Sequence, residues 1–260
     1  MMLQRSIKQF WQTSVILIML LLSSITGFSF NKELIMKKRI LFVLTSHGEI
    51  GNTGEKTGFW LSEASHPWAA FKEAGYDIDF VSPQGGMPPI DGNDLKDPEN
   101  AAFMADAKVK DALAHTKTPS SIDYKAYDAI FYVGGHGTMW DFPGNKDLAQ
   151  IAAKIYEQGG IVSAVCHGPA GLLNIKLSNG DNLLKGKRVT GFTNSEETVR
   201  GLAKVVPFLL EDELKARGAQ YVGTENWADH IEVDGRLITG QNPASAKSVA
   251  KAVIKALESK

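Results

Sequence analysis

Residues 161–171 read IVSAVCHGPAG. Residues 161–165 form a short apolar run with no helical period, which predicts a buried strand. Cys166 and His167 follow at once, and Gly168 then permits a sharp turn into a helix. A strand that delivers a nucleophile to a turn and a following helix has the geometry of a nucleophile elbow, here with cysteine in the place of serine. Two aids to chemistry are expected from that placement. The helix N-terminus would lower the thiol pKa, and the turn would expose backbone N–H groups able to hold an oxyanion. The competing reading is an inert buried cysteine, which behaves as a small hydrophobe.

Working outward, residues 129–133 (AIFYV) predict a second buried strand that ends in Gly134-Gly135-His136-Gly137. Open α/β sheets bind ligands at the carboxyl ends of their strands, so this turn and Cys166 are expected at one edge. Gly135 has no side chain to block a reacting carbonyl, and its N–H is a candidate oxyanion donor; the alternative is a turn that needs glycine for positive φ. GGHG does not match GxGxxG, and no P-loop is present.

The rest of the chain alternates in the same way. Strands are expected at 40–44, 76–81 and 188–191, with a hairpin turning at Asp234-Gly235. Helices are expected at 57–74, with Pro67 a kink or the true start, and at 101–115, 146–158, 208–217 and 244–258. Residues 84–98, rich in Gly, Pro, Asp and Asn, predict a long surface loop. Alternating strands and helices imply a mostly parallel sheet covered on both faces, an α/β fold in one domain over residues 36–260.

Composition sets the limits. The 260 residues are 43% hydrophobic and 22% charged, with 28 bases against 29 acids, so the electrostatic footprint of nucleic-acid binding is missing. One cysteine permits neither an internal disulfide nor a Cys-rich zinc site. At the N-terminus, Arg5 and Lys8 precede an apolar stretch at 15–22 (VILIMLLL) and small residues at Ser23, Ser24, Gly27 and Ser29. That order predicts a signal peptide over 1–29, or a membrane anchor if it is not cleaved. Export would make the protein periplasmic or secreted; a start at Met36 would leave it cytoplasmic.

Several polar groups compete to serve the thiol. His167 could be its base, with Glu196 or Glu197 as the carboxylate that orients the imidazole. Glu63 could approach the thiol from the first helix. Each acid has a plainer reading as a surface carboxylate, and spacing leaves the choice open. His136 is a candidate for the site lining. His47 reads as a loop histidine, His66 as a helix-packing one, and His115 and His230 as surface residues.

Five blocks in order, 63–67 (EASHP), 134–138 (GGHGT), 164–169 (AVCHGP), 190–198 (TGFTNSEET) and 240–246 (GQNPASA), carry a resemblance. They resemble the PfpI-like branch of the class I glutamine amidotransferase-like superfamily, and within it the cofactor-independent glyoxalase III enzymes, relatives of a yeast heat-shock chaperone. The likeness spans about residues 39–260. It implies a flavodoxin-like three-layer sandwich, a homodimer, and a lyase that turns methylglyoxal or glyoxal into a hydroxy acid through a cysteine hemithioacetal, with protein deglycation as a related activity. By the resemblance, Cys166 is the nucleophile, His167 the triad histidine, Glu197 the triad acid and Glu63 the acid hydrogen-bonded to the thiol. Gly135 with the His167 backbone N–H matches the oxyanion pocket, beside which His136 and Gly168 are candidates for lining the substrate site. No cofactor is implied. The metal-binding His/Glu set of the bacterial chaperone members finds no counterpart, so no metal is expected. The export signal is a second departure from a family that is usually intracellular. A holdase-type chaperone independent of Cys166 and a PfpI-like cysteine peptidase are the alternatives. A glutamine amidotransferase is disfavoured, because its histidine lies far downstream of the cysteine.

Overall fold

The computed structural model describes residues 37–259. The signal peptide or membrane anchor expected over 1–29 and the alternative start at Met36 lie outside the described residues. Among the described residues, no helix is long and apolar enough to cross a membrane.

In chain order the elements are β1 (Arg39–Val43), β2 (Phe59–Trp60), α1 (Leu61–Glu73), β3 (Asp77–Val81), β4 (Ile90–Asp91), α2 (Pro98–Ala105) and α3 (Ala107–Ala114). Then come β5 (Ala129–Tyr132), α4 (Thr138–Asp141), α5 (Lys146–Glu157), β6 (Ile161–Val165), β7 (Arg188–Val189) and α6 (Asn194–Val199). The chain closes with α7 (Leu210–Ala216), β8 (Gln220–Tyr221), β9 (Ile231–Asp234), β10 (Leu237–Gly240) and α8 (Ala246–Glu258). Six strands form the main sheet in the order β3-β1-β5-β6-β10-β9. All neighbours run parallel except the β9–β10 hairpin.

Strands β5, β6 and β10 are buried at every residue, which is why they show no polar-apolar alternation. Helices α1 and α8 pack on each other, and α8 also packs on β6 and β10, while α5 packs on β5 and β6. In the first half of the sheet Phe42 is the centre of an aromatic cluster, with the rings of Phe71, Phe80 and Phe131 at 5.9, 5.7 and 5.0 Å. From Lys37 onward the chain is one compact unit.

The register positions the site. Tyr132 pairs with Ala164, and Val165 with Gly240. The segments that follow β5, β6 and β10 therefore emerge side by side at the carboxyl edge of the sheet.

Three expectations need correcting. The first helix starts at Leu61, not at 57, because Phe59 and Trp60 form a short strand with Ile90 and Asp91 of the 84–98 loop. Pro67 lies inside that helix, where it lacks the N–H that would bond to the Glu63 carbonyl. The single helix expected at 101–115 is two helices, broken at Asp106. There ψ is 123°, and the side chain accepts from the Lys108 and Val109 N–H groups, so the aspartate starts a second helix instead of continuing the first. Finally, the turn at Gly168 leads only into a short 3-10 helix, Gly168–Leu172, rather than an α-helix.

Candidate active site

Cys166 sits one residue beyond β6 with φ of 60°, a conformation non-glycine residues rarely adopt. Its backbone is clamped on both sides. The Cys166 N–H donates to the Gly240 carbonyl at 2.9 Å, and the Cys166 carbonyl accepts from the Phe192 N–H at 2.8 Å. Such over-determination is what keeps a strained residue in place. Two glycines make room for the turn. A Cβ on Gly168 would lie 2.3 Å from the Tyr132 carbonyl oxygen, and one on Gly135, where φ is +109°, would lie 2.3 Å from that of Gly58.

His167 follows directly, and its Nδ1 faces Cys166 Sγ at 3.4 Å. Its Nε2–H donates to Glu197 Oε2 at 2.7 Å. His136, from the glycine turn after β5, donates its Nε2–H to the other oxygen, Oε1, at 2.9 Å. One carboxylate thus receives two imidazoles, whose ring centroids are 4.1 Å apart. Burial pushes the Glu197 carboxyl up, but the His136 and His167 hydrogen bonds outweigh it and hold the pKa at about 2. Burial and the neighbouring His136 pull His167 down to about 4, against the pull of Glu197. At neutral pH His167 is therefore uncharged, and with Nε2 protonated its Nδ1 lone pair faces the thiol.

Glu63 approaches from the other side, in the first turn of α1. It is fully buried, and burial raises its pKa to about 8, eased only by the Cys166 thiol and the Gly134 backbone. Neither of its carboxyl oxygens has a well-formed hydrogen bond. Glu63 is thus a neutral acid at pH 7. The expected low thiol pKa is overturned: burial first, then Glu63, push the Cys166 thiol well above its ordinary value, and the His167 backbone relieves this only in part. The short 3-10 turn supplies no α-helix terminus to oppose the cost of burial.

Cys166, His167, Glu197, Glu63, Gly135 and His136 meet there; Gly168 does not line the cavity but packs against Tyr132, and Glu196, the alternative orienter, turns away from the histidines. Its Oε1 accepts from the Trp227 N–H, Gln241 Nε2 and Asn242 Nδ2, and its Oε2 from the Thr193 N–H and hydroxyl. The cavity in front of Cys166 is about 410 Å³ and is lined by Glu63, Gly135, His136 and His167, together with residues that sequence reasoning did not assign to it. Of these, Phe192 lies within the TGFTNSEET block, whereas Val199, Arg200 and Trp227 carried no sequence signal. His47 stacks on Trp140 at 5.0 Å, His66 bonds Asp97, His115 is exposed and His230 is half-buried beside Glu232; none of the four lines this cavity.

His136, His167 and Glu197 also present three ligand atoms within 4.8 Å of one another, a donor set of the kind that binds zinc. The same atoms are paired by the two N–H···O bonds, so a cation there would have to displace both protons.

The DJ-1/PfpI family matches residues 56–256. The glutathione-independent glyoxalase HSP31 of Saccharomyces cerevisiae is 40% identical over 235 residues, covering 85% of this chain and 98% of its own length. Glyoxalase 3 of Candida albicans is 37% identical over 232 residues, again 85% of this chain and 98% of the relative. The crystal structure of glyoxalase III from Candida albicans has a TM-score of 0.79 at 35% identity, covering 84% of this chain and 97% of that one. The Francisella tularensis Rapid Encystment Protein 24 KDa has a TM-score of 0.82 at 44% identity, with 85% and 99% covered. The fold and sequence of this chain therefore place it in the DJ-1/PfpI family.

Proposed function

We propose that the protein is a glutathione-independent glyoxalase of the glyoxalase III type, a lyase that converts methylglyoxal or glyoxal into the corresponding hydroxy acid. The observation that carries this reading is the neutral His167 with Nδ1 at 3.4 Å from the Cys166 thiol, at a cavity that Gly135 also lines. The likeness to curated glyoxalases over nearly their full length supports it.

In this mechanism the thiol is not ionised at rest. As Sγ attacks the aldehyde carbon, His167 Nδ1 takes the thiol proton, so charge separates only in the transition state. The resulting imidazolium is stabilised by Glu197, and the hemithioacetal oxygen lies by Gly135 and the backbone at 167–168. His167 passes the thiol proton to the hemithioacetal oxygen and, neutral again, moves a proton from the aldehyde carbon to the neighbouring carbonyl carbon through an enediol. One carbon is oxidised to a thioester as the other is reduced to an alcohol, so the redox change is internal. Water cleaves the C–S bond and releases the hydroxy acid and the thiol. Neutral Glu63 keeps a second negative charge away from the developing thiolate. Deglycation of protein adducts would use the same thiol.

The test is methylglyoxal consumption with lactate detection, free of glutathione, in the parent and in Cys166→Ala. Turnover by the parent alone supports the reading, and a folded parent with no turnover overturns it.

A further inference from the structure

The cavity in front of Cys166 is larger than a three-carbon dicarbonyl needs. Its volume of about 410 Å³ lies in the range, roughly 300–1,000 Å³, that takes drug-sized ligands. The polar lining consists of the groups at the thiol and Arg200; the remaining walls are Trp60, Phe192, Val199, Trp227 and Pro243. Two of those walls are unusual for surface positions, with Val199 65% and Trp227 44% exposed. Large apolar side chains left open to solvent around a cavity mark a ligand-contact surface.

Trp227 is also held there against its backbone preference. Its φ is 67°, a genuine outlier for a bulky residue, and outliers of this kind concentrate at ligand clamps. What holds it is Glu196, fully buried, whose Oε1 accepts the Trp227 N–H at 2.8 Å. The same oxygen accepts from Asn242 at 2.9 Å and Gln241 at 3.1 Å, while Oε2 closes the capping box of α6 with Thr193. One buried carboxylate thereby ties the helix bearing Glu197 to the chain after β10 and to the loop bearing Trp227. The indole lies 5.6 Å from the Phe192 ring, and that ring in turn lies 4.3 Å from His167. An aromatic surface therefore runs from the catalytic imidazole to the mouth of the cavity.

On the glyoxalase reading, on which this rests, we infer that the site takes α-oxoaldehydes whose ketone carbon bears a flat aromatic group, with that group against Phe192 and Trp227. Trp227 sets the preference, and Glu196 is the positioning residue that holds it. Phenylglyoxal is the probe. Its aldehyde carbon forms the C–S bond while the thiol proton passes to His167. His167 returns that proton to the hemithioacetal oxygen, then takes the hydrogen on that carbon as a proton, and one proton is returned to the ketone carbon, giving the mandelyl thioester. Water then cleaves the C–S bond to yield mandelate and the free thiol, with no external oxidant.

The experiment compares initial-rate kcat/KM for phenylglyoxal and methylglyoxal in the full chain, read as mandelate and lactate. Because phenylglyoxal also modifies arginines, mandelate and lactate are compared in parallel as reversible inhibitors of methylglyoxal turnover. The expected preference is about tenfold for the aryl substrate, the size of one good aromatic contact, with mandelate the tighter inhibitor. Trp227→Ala should abolish most of that ratio, and Trp227→Phe should restore it. Glu196→Gln should raise KM for phenylglyoxal more than it lowers kcat. Methylglyoxal turnover without an aryl preference, or a ratio unchanged in Trp227→Ala, overturns the inference. A folded parent that turns over neither substrate overturns the glyoxalase reading instead.

Discussion

Glu63 and Glu197 occupy the two sides of the Cys166–His167 pair, and their local contexts are alike. Each lies in the first turn of a helix and each is buried. Helix-end electrostatics would favour the charged form of both. They nevertheless end up on opposite sides of neutrality, Glu63 at about 8 and Glu197 at about 2. Burial raises both. The difference is the pair of imidazole N–H donors on Glu197, for which Glu63 has no equivalent. The donors that tertiary structure brings to a buried acid decide its charge, and the helix turn it comes from does not. Here that yields one permanent anion to stabilise the imidazolium and one neutral acid to spare the thiolate.

The contrast can be broken most severely at the group between the two acids. Cys166→Ala should lower kcat/KM for methylglyoxal by ~10³-fold or more, with the fold retained by circular dichroism. Next in size is Glu197→Gln. The amide can accept only through its oxygen, so one histidine loses its partner and the imidazolium loses its counter-charge. A fall of ~10²–10⁴-fold in kcat is expected, against at most about tenfold for Glu63→Gln at pH 7, where glutamine mimics the neutral acid. Equal losses in the two variants would erase the distinction.

The pH profile sharpens it. Activity needs neutral His167, at about 4, and neutral Glu63, at about 8, so kcat/KM should be level between these values and fall outside them. Glu63→Gln should remove the alkaline limb and leave the acid limb in place. Stability gives the smallest signal. The folded-state value of Glu63 is raised from 4.5 to about 8, so its contribution is full below 4.5 and is lost as pH rises through about 8. The value for Glu197 is lowered from 4.5 to about 2, so its contribution is present above 4.5 and is lost as pH falls towards about 2. Thermal melts should therefore show Tm declining between about pH 5 and 8 in the parent by several degrees, and less in Glu63→Gln.

Much of the architecture could be read in advance because it depends on local pattern. The apolar runs at β5 and β6 could only be buried strands, and the glycine-rich turn after the one and the Cys-His-Gly after the other followed from them. The errors have local causes as well. Asp106 carries a side chain that caps a helix as readily as it sits within one, and Pro67 is tolerated in α1 because packing against α2 and α8 outweighs one missing bond. The thiol was misjudged because a helix N-terminus was weighed without the desolvation that full burial imposes.

The sequence by itself determined the layered α/β fold, the cysteine at a strand end and the small set of polar residues that could serve it, since these follow from periodicity, chain direction and side-chain chemistry. Its spacing left Glu196 and Glu197 interchangeable, and only the family resemblance favoured Glu197. Adjacent helix residues point roughly 100° apart, and only the hydrogen bonds of α6 to the turns after β5 and β6 and to the chain after β10 decide which faces the histidines. Tertiary structure likewise decided the second imidazole on Glu197, the opposite charges of the two acids and the left-handed Trp227 at the cavity mouth. Each of these depends on contacts between residues far apart in the chain, and no local pattern encodes the distance between them.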